Sequence, residues 1–285
     1  MFNIERKRAL LTGAASGIGR AIALQMSRRN THLCLIDIQP EGLEETAAAC
    51  RKQGIYVHTI VADLSQEETI TSIADEVSDK LGGLDILINN AGLVYYGPTD
   101  QMSSQQRERL LAVNFLAPIR LCDACFPMLL ANKQSRILNV SSVFGLLPSN
   151  RNTIYHATKY GLVGYSLALR AEYARYGLGV GVVCPGFVRT DLFENMLLPE
   201  GRQKKEPPKW MTTSAEVVAR KSIRTIEKNR RLTTVTAFAK FGYYLERLSP
   251  WLADSVYQFQ RKKLHDFALQ AQEITPEHIT SVPSD

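Results

Sequence analysis

Short apolar runs alternate with longer stretches in which apolar residues recur every three or four positions, and this alternation continues through most of the chain. Short runs are typical of buried strands, and the longer period is typical of helices with one buried face. The seven predicted strands are Ala9–Leu11, His32–Ile36, Tyr56–Val61, Ile86–Asn89, Arg136–Val140, Gly179–Cys184 and Leu232–Thr236. The predicted helices are Ile18–Arg29, Glu41–Gln53, Gln66–Leu81, Gln105–Ala131, Thr153–Tyr176 and Ser214–Asn229.

This regular alternation predicts one α/β domain, a doubly wound, Rossmann-type sheet of about seven parallel strands flanked by helices. The alternation ends near residue 236, so we predict a domain over residues 1–236. Within it, residues 187–213 are rich in Pro, Lys and Met and are predicted to form a mobile substrate lid. An amphipathic helical extension over residues 237–274, broken at Ser249-Pro250, and a flexible polar tail over residues 275–285 are predicted to follow.

Composition limits the cellular setting and the metal chemistry. The chain is 45% hydrophobic and 22% charged, which is ordinary for a globular protein. We expect no signal peptide, and no apolar run approaches the roughly 18 residues that span a bilayer. Five cysteines scattered in apolar segments favour reduced thiols and a cytoplasmic location. Cys122 and Cys125 form a single C-x-x-C without a second pair for zinc, so we predict buried thiols and no metal site.

The net charge of +6 is concentrated towards the C-terminus, where residues 202–263 hold 15 Lys and Arg against 5 Asp and Glu. An apolar stripe on residues 237–264 lies among these cations. Such a stripe more often packs on the core or on a second subunit, and we favour this interpretation. Peripheral contact with an anionic membrane surface stays open as the alternative. No nucleic-acid motif accompanies the cations, so nucleic acid is not an expected partner.

A glycine-rich turn joins the first predicted strand to the first predicted helix. It contains Gly13, Gly17 and Gly19, with Ser16 and Ile18 between them. Glycine allows the tight turn and lets backbone N–H groups approach a pyrophosphate at the positive end of the helix. The strand before and the helix after are the context that a dinucleotide-binding motif requires. The sequence therefore predicts a dinucleotide cofactor at this turn.

Asp37, at the end of the second predicted strand, favours one cofactor over another. A carboxylate there accepts hydrogen bonds from ribose hydroxyls and would repel a 2′-phosphate. Neither Ser16 nor Ile38 is basic, so we predict NAD in preference to NADP. The ordinary structural role of such an aspartate is to cap the helix that follows. Further cofactor contacts are expected at the carboxyl ends of the next two strands, from Asp63, Leu64, Asn90, Ala91 and Gly92.

Tyr155 and Lys159 are four residues apart on a predicted helix and therefore lie on one face of it. The cation favours the phenolate, which predicts a pKa for Tyr155 below its usual value of about 10. Ser142 ends the fifth predicted strand and is expected to converge with Tyr155 on one substrate oxygen. A proton acceptor beside a dinucleotide is what the interconversion of an alcohol and a ketone requires.

Together these residues resemble the short-chain dehydrogenase/reductase family, in its single-domain branch, over roughly residues 5–236. The motifs that carry the resemblance are Thr12-Gly13-x-x-x-Gly17-x-Gly19, Asn89-Asn90-Ala91-Gly92, Asn114, Ser142, Tyr155-x-x-x-Lys159 and Pro185-Gly186-x-Val188-x-Thr190. The resemblance implies that Tyr155 is the general acid/base and that Ser142 holds the substrate carbonyl oxygen. Lys159 would bind the nicotinamide ribose and lower the tyrosine pKa, and Asn114 would hold a water in a proton relay. The residues that would contact the nicotinamide are Pro185, Gly186, Val188 and Thr190.

The side chains expected around the substrate are mostly apolar or aromatic and include no cation to hold a carboxylate. They are Val94, Tyr95, Tyr96, Leu146, Leu147, Asn152 and Phe187, with Leu192, Phe193, Met196, Leu197 and Leu198 from the lid. We therefore predict an NAD-dependent oxidoreductase that interconverts a secondary alcohol and its ketone, on a hydrophobic substrate of steroid, retinoid, long-chain or aromatic type. The alternatives are an NADP-dependent carbonyl reductase and a catalytically silent dinucleotide sensor. Gln105–Ala131 and Thr153–Tyr176 resemble the family's subunit-packing helices, which implies a homodimer or homotetramer.

Overall fold

The computed structural model describes residues 1–149, 152–189, 197 and 212–252. The strands are β1 Arg8–Thr12, β2 His32–Asp37, β3 Val57–Val61, β4 Ile86–Asn89, β5 Ser135–Val140, β6 Leu178–Cys184, β7 Phe187–Arg189, β8 Thr212–Ser214 and β9 Leu232–Thr234. Seven of them form one parallel sheet in the order β3-β2-β1-β4-β5-β6-β9. The predicted seven-stranded doubly wound sheet is therefore confirmed.

Helices cover both faces of this sheet. The helices among the described residues are α1 Gly17–Ser27, α2 Pro40–Arg51, α3 Glu67–Leu81, α4 Ser104–Leu111, α5 Ala117–Leu130, α6 Thr153–Tyr173, α7 Ala215–Glu227 and α8 Ala237–Leu248. The apolar sides of α1, α2 and α7 bury one face of the sheet, and those of α3, α5 and α6 bury the other. Double coverage explains why the strands read as continuous apolar runs, with β5 and β6 buried at every position. All five cysteines, including Cys122 and Cys125, are free and buried.

The order of the strands determines where a ligand binds. The chain leaves β1 towards β2 on one side and later returns to β4 on the other. In open α/β sheets, ligands bind beyond the carboxyl ends of the strands at such a switch point. The glycine turn after β1, the segment after β4 and Ser142 after β5 all lie at this edge.

The predicted helix Gln105–Ala131 is interrupted by a π-helical turn at Ala112–Leu116, between α4 and α5. The amide of Asn114 in this turn is tied to the backbone of Leu93, which gives the irregularity a tertiary cause. Among the described residues, the helical segment Ser104–Leu130 is the one that is apolar and long enough to cross a membrane, judged by length and composition alone. Leu121 and Leu129, on α5, are buried in the core beneath the sheet.

The predicted loop over residues 187–213 has a strand at each end, because β7 and β8 pair in parallel in a small separate ladder. Each of these strands is three residues long, too short to stand out as a periodic pattern. Between them the structure describes Leu197 alone. Four predicted lid residues therefore lie outside the described residues: Leu192, Phe193, Met196 and Leu198.

The chain divides into two units, Met1–Lys240 and Phe241–Asp285. Within the second unit, α8 continues to Leu248 and helical structure is interrupted at Ser249, where the sequence predicts a break. Residues 253–285, which include most of the predicted extension and the whole predicted tail, lie outside the described residues. The predicted domain boundaries after residues 236 and 274 stay predictions.

Candidate active site

The glycine turn leaves no space for additional side chains. Gly13 and Gly17 have φ angles of 69° and 54°, in the left-handed region that favours glycine. A Cβ added to Gly19 would lie 1.8 Å from the carbonyl oxygen of Gly13. Ser16 is the N-cap of α1, and its side chain makes no capping hydrogen bond to a described residue. The first N–H groups of α1, which include those of Ile18 and Gly19, are therefore oriented as a pyrophosphate site requires.

Asn90 fixes the shape of this turn. Its Nδ2 donates to the carbonyl oxygens of Thr12 and Gly13, each at 3.0 Å. In return, the hydroxyl oxygen of Thr12 accepts hydrogen bonds from the backbone N–H groups of Asn90 and Ala91, also at 3.0 Å. The side chain predicted to contact the cofactor is thus occupied in joining the ends of β1 and β4.

Asp37 lies beside the glycine turn, half-buried at the end of β2. One carboxylate oxygen accepts from the N–H of Ala15 at 2.9 Å, and the other accepts from the N–H of Gln39 at 3.1 Å. Each oxygen keeps a second lone pair for a ribose hydroxyl. Arg20, on α1, is paired with Glu45 at 3.1 Å. The arrangement therefore fits both the cofactor role and the turn-forming role considered from the sequence.

Asp63 and Leu64 follow β3 with different surroundings. The carboxylate of Asp63 accepts from the N–H of Ser65 at 2.9 Å and lies 3.5 Å from the guanidinium of Arg109. Leu64 is buried in the core beneath the sheet. A contact between Leu64 and a cofactor would therefore involve its backbone.

Ser142 and Tyr155 meet at the carboxyl end of β5. The oxygen of Ser142 accepts a hydrogen bond from the N–H of Phe144 at 3.2 Å and so caps the short 3₁₀ turn Val143–Gly145. This orients the hydroxyl and leaves its proton to be donated. The Ser142 side chain also acts to lower the pKa of Tyr155, which is buried near the start of α6. The structure thus brings together the two hydroxyls that the sequence placed at one substrate oxygen.

Lys159 lies one turn further along α6, with its Nζ 5.7 Å from the ring centroid of Tyr155. Its Nζ donates to the carbonyl oxygen of Val140 at 3.2 Å. Burial disfavours the ammonium and lowers the pKa of Lys159 to about 8. Burial also raises the pKa of Tyr155 to about 12, although the Ser142 side chain acts in the opposite direction. The predicted pKa of Tyr155 below 10 is therefore wrong, because desolvation of the phenolate outweighs the favourable interactions.

Asn114 reaches this cluster from the π-helical turn. Its Oδ1 accepts from the N–H of Leu93 at 2.7 Å, and its Nδ2 donates to the carbonyl of Leu93 at 2.8 Å. A Cβ on Gly92 would lie 3.3 Å from Asn114 Oδ1 and 3.4 Å from Lys159 Nζ. Gly92 thus lets both groups approach the same short backbone segment. Because the amide of Asn114 is bonded to Leu93, its role as holder of a relay water stays a prediction.

The predicted substrate-lining segment after β4 contacts the lid. Leu197 donates its N–H to the carbonyl of Val94 at 2.9 Å and accepts from the N–H of Tyr96 at 3.0 Å. Tyr96 is exposed and Val94 half-buried, as lining residues require. Tyr95 is only 1% exposed and donates its hydroxyl to the carbonyl of Pro98. It belongs to the same apolar cluster as Tyr155, so it supports the site from within.

Phe144 was not predicted from the sequence, yet it is the aromatic centre of the site. Its ring makes edge-to-face contacts with Tyr155, at 6.3 Å between centroids, and with Phe187, at 5.7 Å. Its position two residues after Ser142 is the sequence feature that could have indicated it. Leu146 and Leu147, which the sequence does predict as lining residues, follow Phe144 on this segment and are buried.

Asn152 is buried and contacts the first turn of α6. It is 3% exposed, and its carbonyl accepts hydrogen bonds from the backbone N–H of His156 at 2.9 Å and from the His156 ring at 2.8 Å. It therefore stabilises the first turn of α6, which carries Tyr155. A substrate contact from Asn152 stays a prediction.

The segment after β6 would lie on the nicotinamide side. The carbonyl of Pro185 accepts from the N–H of Val143 at 2.6 Å, which ties this segment to the Ser142 turn. Gly186 packs against Thr236, because an added Cβ would lie 3.1 Å from the Thr236 hydroxyl oxygen. Val188 is buried in β7, and Thr190 lies outside the described residues.

This arrangement can be compared with known proteins. The family model described as short chain dehydrogenase matches residues 7–200. The chain belongs to the short-chain dehydrogenase family. Mouse estradiol 17-beta-dehydrogenase 11 is 38% identical over 189 residues, which are 65% of this chain and 63% of the mouse protein. The match therefore covers less than two thirds of the length of the mouse protein. Rat 17-beta-hydroxysteroid dehydrogenase 13 is 32% identical over 253 residues, covering 87% of this chain and 81% of the relative.

Solved short-chain dehydrogenases share the architecture. One from Burkholderia phymatum, in complex with NAD, is 25% identical with a TM-score of 0.79, covering 88% of this chain and 96% of the other. Other solved structures with this fold hold NADPH or NADP. This short-chain dehydrogenase is thus an oxidoreductase of a family that uses nicotinamide dinucleotides. The uncapped start of α1 and the tight glycine turn that precedes it fit such a cofactor.

Proposed function

We propose that this short-chain dehydrogenase interconverts a hydrophobic secondary alcohol and its ketone, using NAD and Tyr155 as the general acid/base. The observation that carries the proposal is the grouping of Ser142 and Tyr155, with Lys159 one helical turn away, at the edge that holds the glycine turn. A sensor that had lost catalysis would not need to keep this set of groups in contact. We therefore favour an enzyme over the silent alternative.

The side chains divide the proton chemistry between them. The Ser142 hydroxyl, oriented by Phe144 N–H, donates to the substrate oxygen. Tyr155, whose pKa is about 12, is a protonated phenol at neutral pH and passes its proton to that oxygen during reduction of a ketone. Lys159, with a pKa of about 8, is the group that exchanges protons near neutral pH. A bound nicotinamide dinucleotide supplies the hydride, or accepts it in the oxidative direction.

NAD is proposed over NADP because of Asp37. Its carboxylate faces the glycine turn, Ile38 beside it is apolar, and Arg20 is already paired with Glu45. A 2′-phosphate would meet the negative charge of Asp37 there. The test is the ratio of kcat/KM with the two cofactors, for the native protein and for the double variant Asp37→Ala, Ile38→Arg. A native ratio in favour of NADP would overturn this part of the proposal and support a carbonyl reductase.

The substrate is proposed to be of steroid, retinoid, long-chain or aromatic type. Phe144, Phe187 and Val94 surround the reactive hydroxyls with apolar surface. The mouse and rat relatives carry estradiol and hydroxysteroid substrates in their names. The experiment is a panel of secondary alcohols and ketones of graded size, followed by NADH absorbance with both cofactors. Activity confined to small or charged substrates would contradict the proposal.

Tyr155→Phe tests the mechanism directly. It removes the proton that is transferred and keeps the ring that packs on Phe144. We expect turnover to fall by at least about 10²–10⁴-fold while the Kd for NAD changes little, because general acid–base catalysis contributes about that factor. Retained turnover would exclude Tyr155 as the acid/base.

We also propose a homodimer or homotetramer in the cytoplasm. Leu116 and Tyr160 are large side chains that stay 38% and 41% exposed beside the site helices, and all five cysteines are free thiols. Light scattering after gel filtration, for the native protein and for Tyr160→Asp, tests the assembly.

For residues 237–264 we favour packing over membrane contact. Sedimentation with anionic liposomes, before and after truncation at residue 237, distinguishes the two.

A further inference from the structure

At the edge of the sheet opposite the active site, two arginines approach one another without a carboxylate. Arg136 is the second residue of β5 and is only 7% exposed, and Arg170 lies near the end of α6. The pKa of Arg136 is lowered by burial and then by the charge of Arg170. The guanidinium of Arg136 also lies over the ring of Phe2, 4.4 Å from its centroid, so an aromatic face and not a carboxylate covers one side of this cation.

The hydrogen bonds of the two guanidinium groups account for only part of their capacity. Arg136 donates its Nε to the carbonyl of Ile226 and its Nη1 to the carbonyl of Ser135. Arg170 donates its Nη1 to the carbonyl of Val180 and both Nη1 and Nη2 to Asn229. Nη2 of Arg136 and Nε of Arg170 have no hydrogen-bond partner among the described residues. Both are donors in a fork geometry that suits oxyanions.

These donors border a cavity of about 220 Å³ at the start of β6. Lys133 lines the same cavity and adds a third positive charge. Glycines keep it open: a Cβ on Gly179 would lie 2.4 Å from Asn229 Oδ1 and 2.9 Å from Cδ of Arg136. No acidic residue occurs among the described residues that line it.

Two acidic residues close to Arg136 in the fold are already paired with other cations. Asp85, whose carbonyl accepts from the N–H of Arg136, binds Lys7 at 3.1 Å and Arg8 at 2.8 Å through its carboxylate. Glu227, at the end of α7, is paired with Arg29. The charge of Arg136 and Arg170 is therefore not balanced by either carboxylate.

We propose that this cavity, lined by Lys133, Arg136, Arg170 and Asn229, is a binding site for a small phosphate-bearing anion. Three cations more than offset the two negative charges of a phosphate dianion, and planar arginine forks match its oxygens in geometry. The Asn229 side chain, held against Arg170, fixes the wall of the site. The site is separate from the cofactor region, because it lies at the amino ends of β5 and β6, whereas the glycine turn and Ser142 lie at the carboxyl ends of β1 and β5.

The test is a titration of the full-length protein with inorganic phosphate, saturated with NAD so that the cofactor region cannot bind the probe. Saturable binding is followed by calorimetry and by ³¹P resonance. We expect Arg170→Gln to weaken phosphate binding by about tenfold or more and Lys133→Gln by several-fold, since each removes a charge-assisted contact. Arg220→Gln removes an exposed charge from α7 and serves as the matched control with unchanged affinity.

Lys133 is exposed and makes no buried hydrogen bond, so Lys133→Gln keeps the test valid if the arginine variants do not fold. In that case phosphate should raise the melting temperature of the native protein and of Arg220→Gln more than that of Lys133→Gln. The proposal is overturned if the native protein shows no saturable phosphate binding up to about 10 mM phosphate. It is also overturned if Lys133→Gln binds phosphate as tightly as Arg220→Gln does.

Discussion

The glycine turn and the Ser142–Tyr155–Lys159 cluster lie on the same edge of the sheet but depend on opposite properties. At the turn, the absence of atoms is essential, because Gly19 has the Gly13 carbonyl where a Cβ would be. In the cluster, the presence of particular atoms is essential, namely two hydroxyls and an ammonium at the ends of well-packed side chains. Adding an atom should therefore destroy the first region, whereas removing one should silence the second and leave its shape intact.

The largest expected effect is that of Gly19→Ala. Since the new methyl group would overlap the Gly13 carbonyl, we expect destabilisation of more than about 3 kcal/mol and loss of measurable NAD binding. Urea unfolding and NAD titration measure both. Gly164→Ala is the matched control, because no heavy atom lies within 4 Å of its added Cβ, and it should be neutral or slightly stabilising. Equal behaviour of the two variants would break the comparison.

Ser142→Ala should have the reverse outcome. We expect kcat to fall by about 10²–10³-fold, as for loss of one donor to a developing oxyanion, while NAD affinity is kept. Loss of the cap on the Val143–Gly145 turn should cost about 1 kcal/mol. Ser103→Ala removes a comparable cap at the exposed start of α4 and should cost similar stability without affecting kcat. Unchanged turnover in Ser142→Ala would remove Ser142 from the mechanism.

The charge on Lys159 should be detectable as a pH dependence of stability. Its pKa is about 8 in the folded protein and about 10.4 in the unfolded chain, so the unfolded state binds more protons between these values. The cost of the buried cation is therefore fully present below pH 8 and is relieved as the pH rises. We expect the free energy of unfolding to gain about 2–3 kcal/mol from this group between pH 7 and pH 10.

Urea unfolding of the native protein and of Lys159→Met at the two pH values isolates this contribution. The variant should lack the gain, since it has no titrating group at this position. Parallel pH profiles for the two proteins would show that Lys159 is not a buried cation of lowered pKa.

The smallest expected effect is that of Phe144→Leu. It removes edge-to-face contacts with Tyr155 and Phe187 that contribute about 0.5–1.5 kcal/mol, so KM for a hydrophobic ketone should rise several-fold with a smaller change in kcat. Phe126→Leu, which disrupts the stack on Tyr173 elsewhere, should alter stability alone. A KM shift of the same size in both variants would mean that Phe144 acts through general packing.

Regions with a local cause were predictable from the sequence. The seven strands of the main sheet can be predicted because each is a short apolar run that is visible without knowledge of its neighbours in the sheet. The glycine turn can be predicted because a strand precedes it and a helix follows it. The π-helical turn was not predictable, because Ala112–Leu116 has ordinary helical residues and its distortion comes from the contact between Asn114 and Leu93. The pKa of Tyr155 was predicted in the wrong direction for a related reason. The burial of Tyr155, which raises its pKa, depends on the whole assembled fold. The four-residue spacing in the sequence reveals only one of its neighbours, Lys159.

The π-helical turn has a consequence for the length of the chain. A π-helical turn holds about one residue more than an α-helical turn, and each residue of an α-helix turns it by about 100°. Deleting one residue within Ala112–Leu116 would let the segment become a regular helix with α4 and α5 still in phase, but it would remove the bulge from which Asn114 binds Leu93. A one-residue length change in this helix is therefore an active-site change, even when every catalytic side chain is retained.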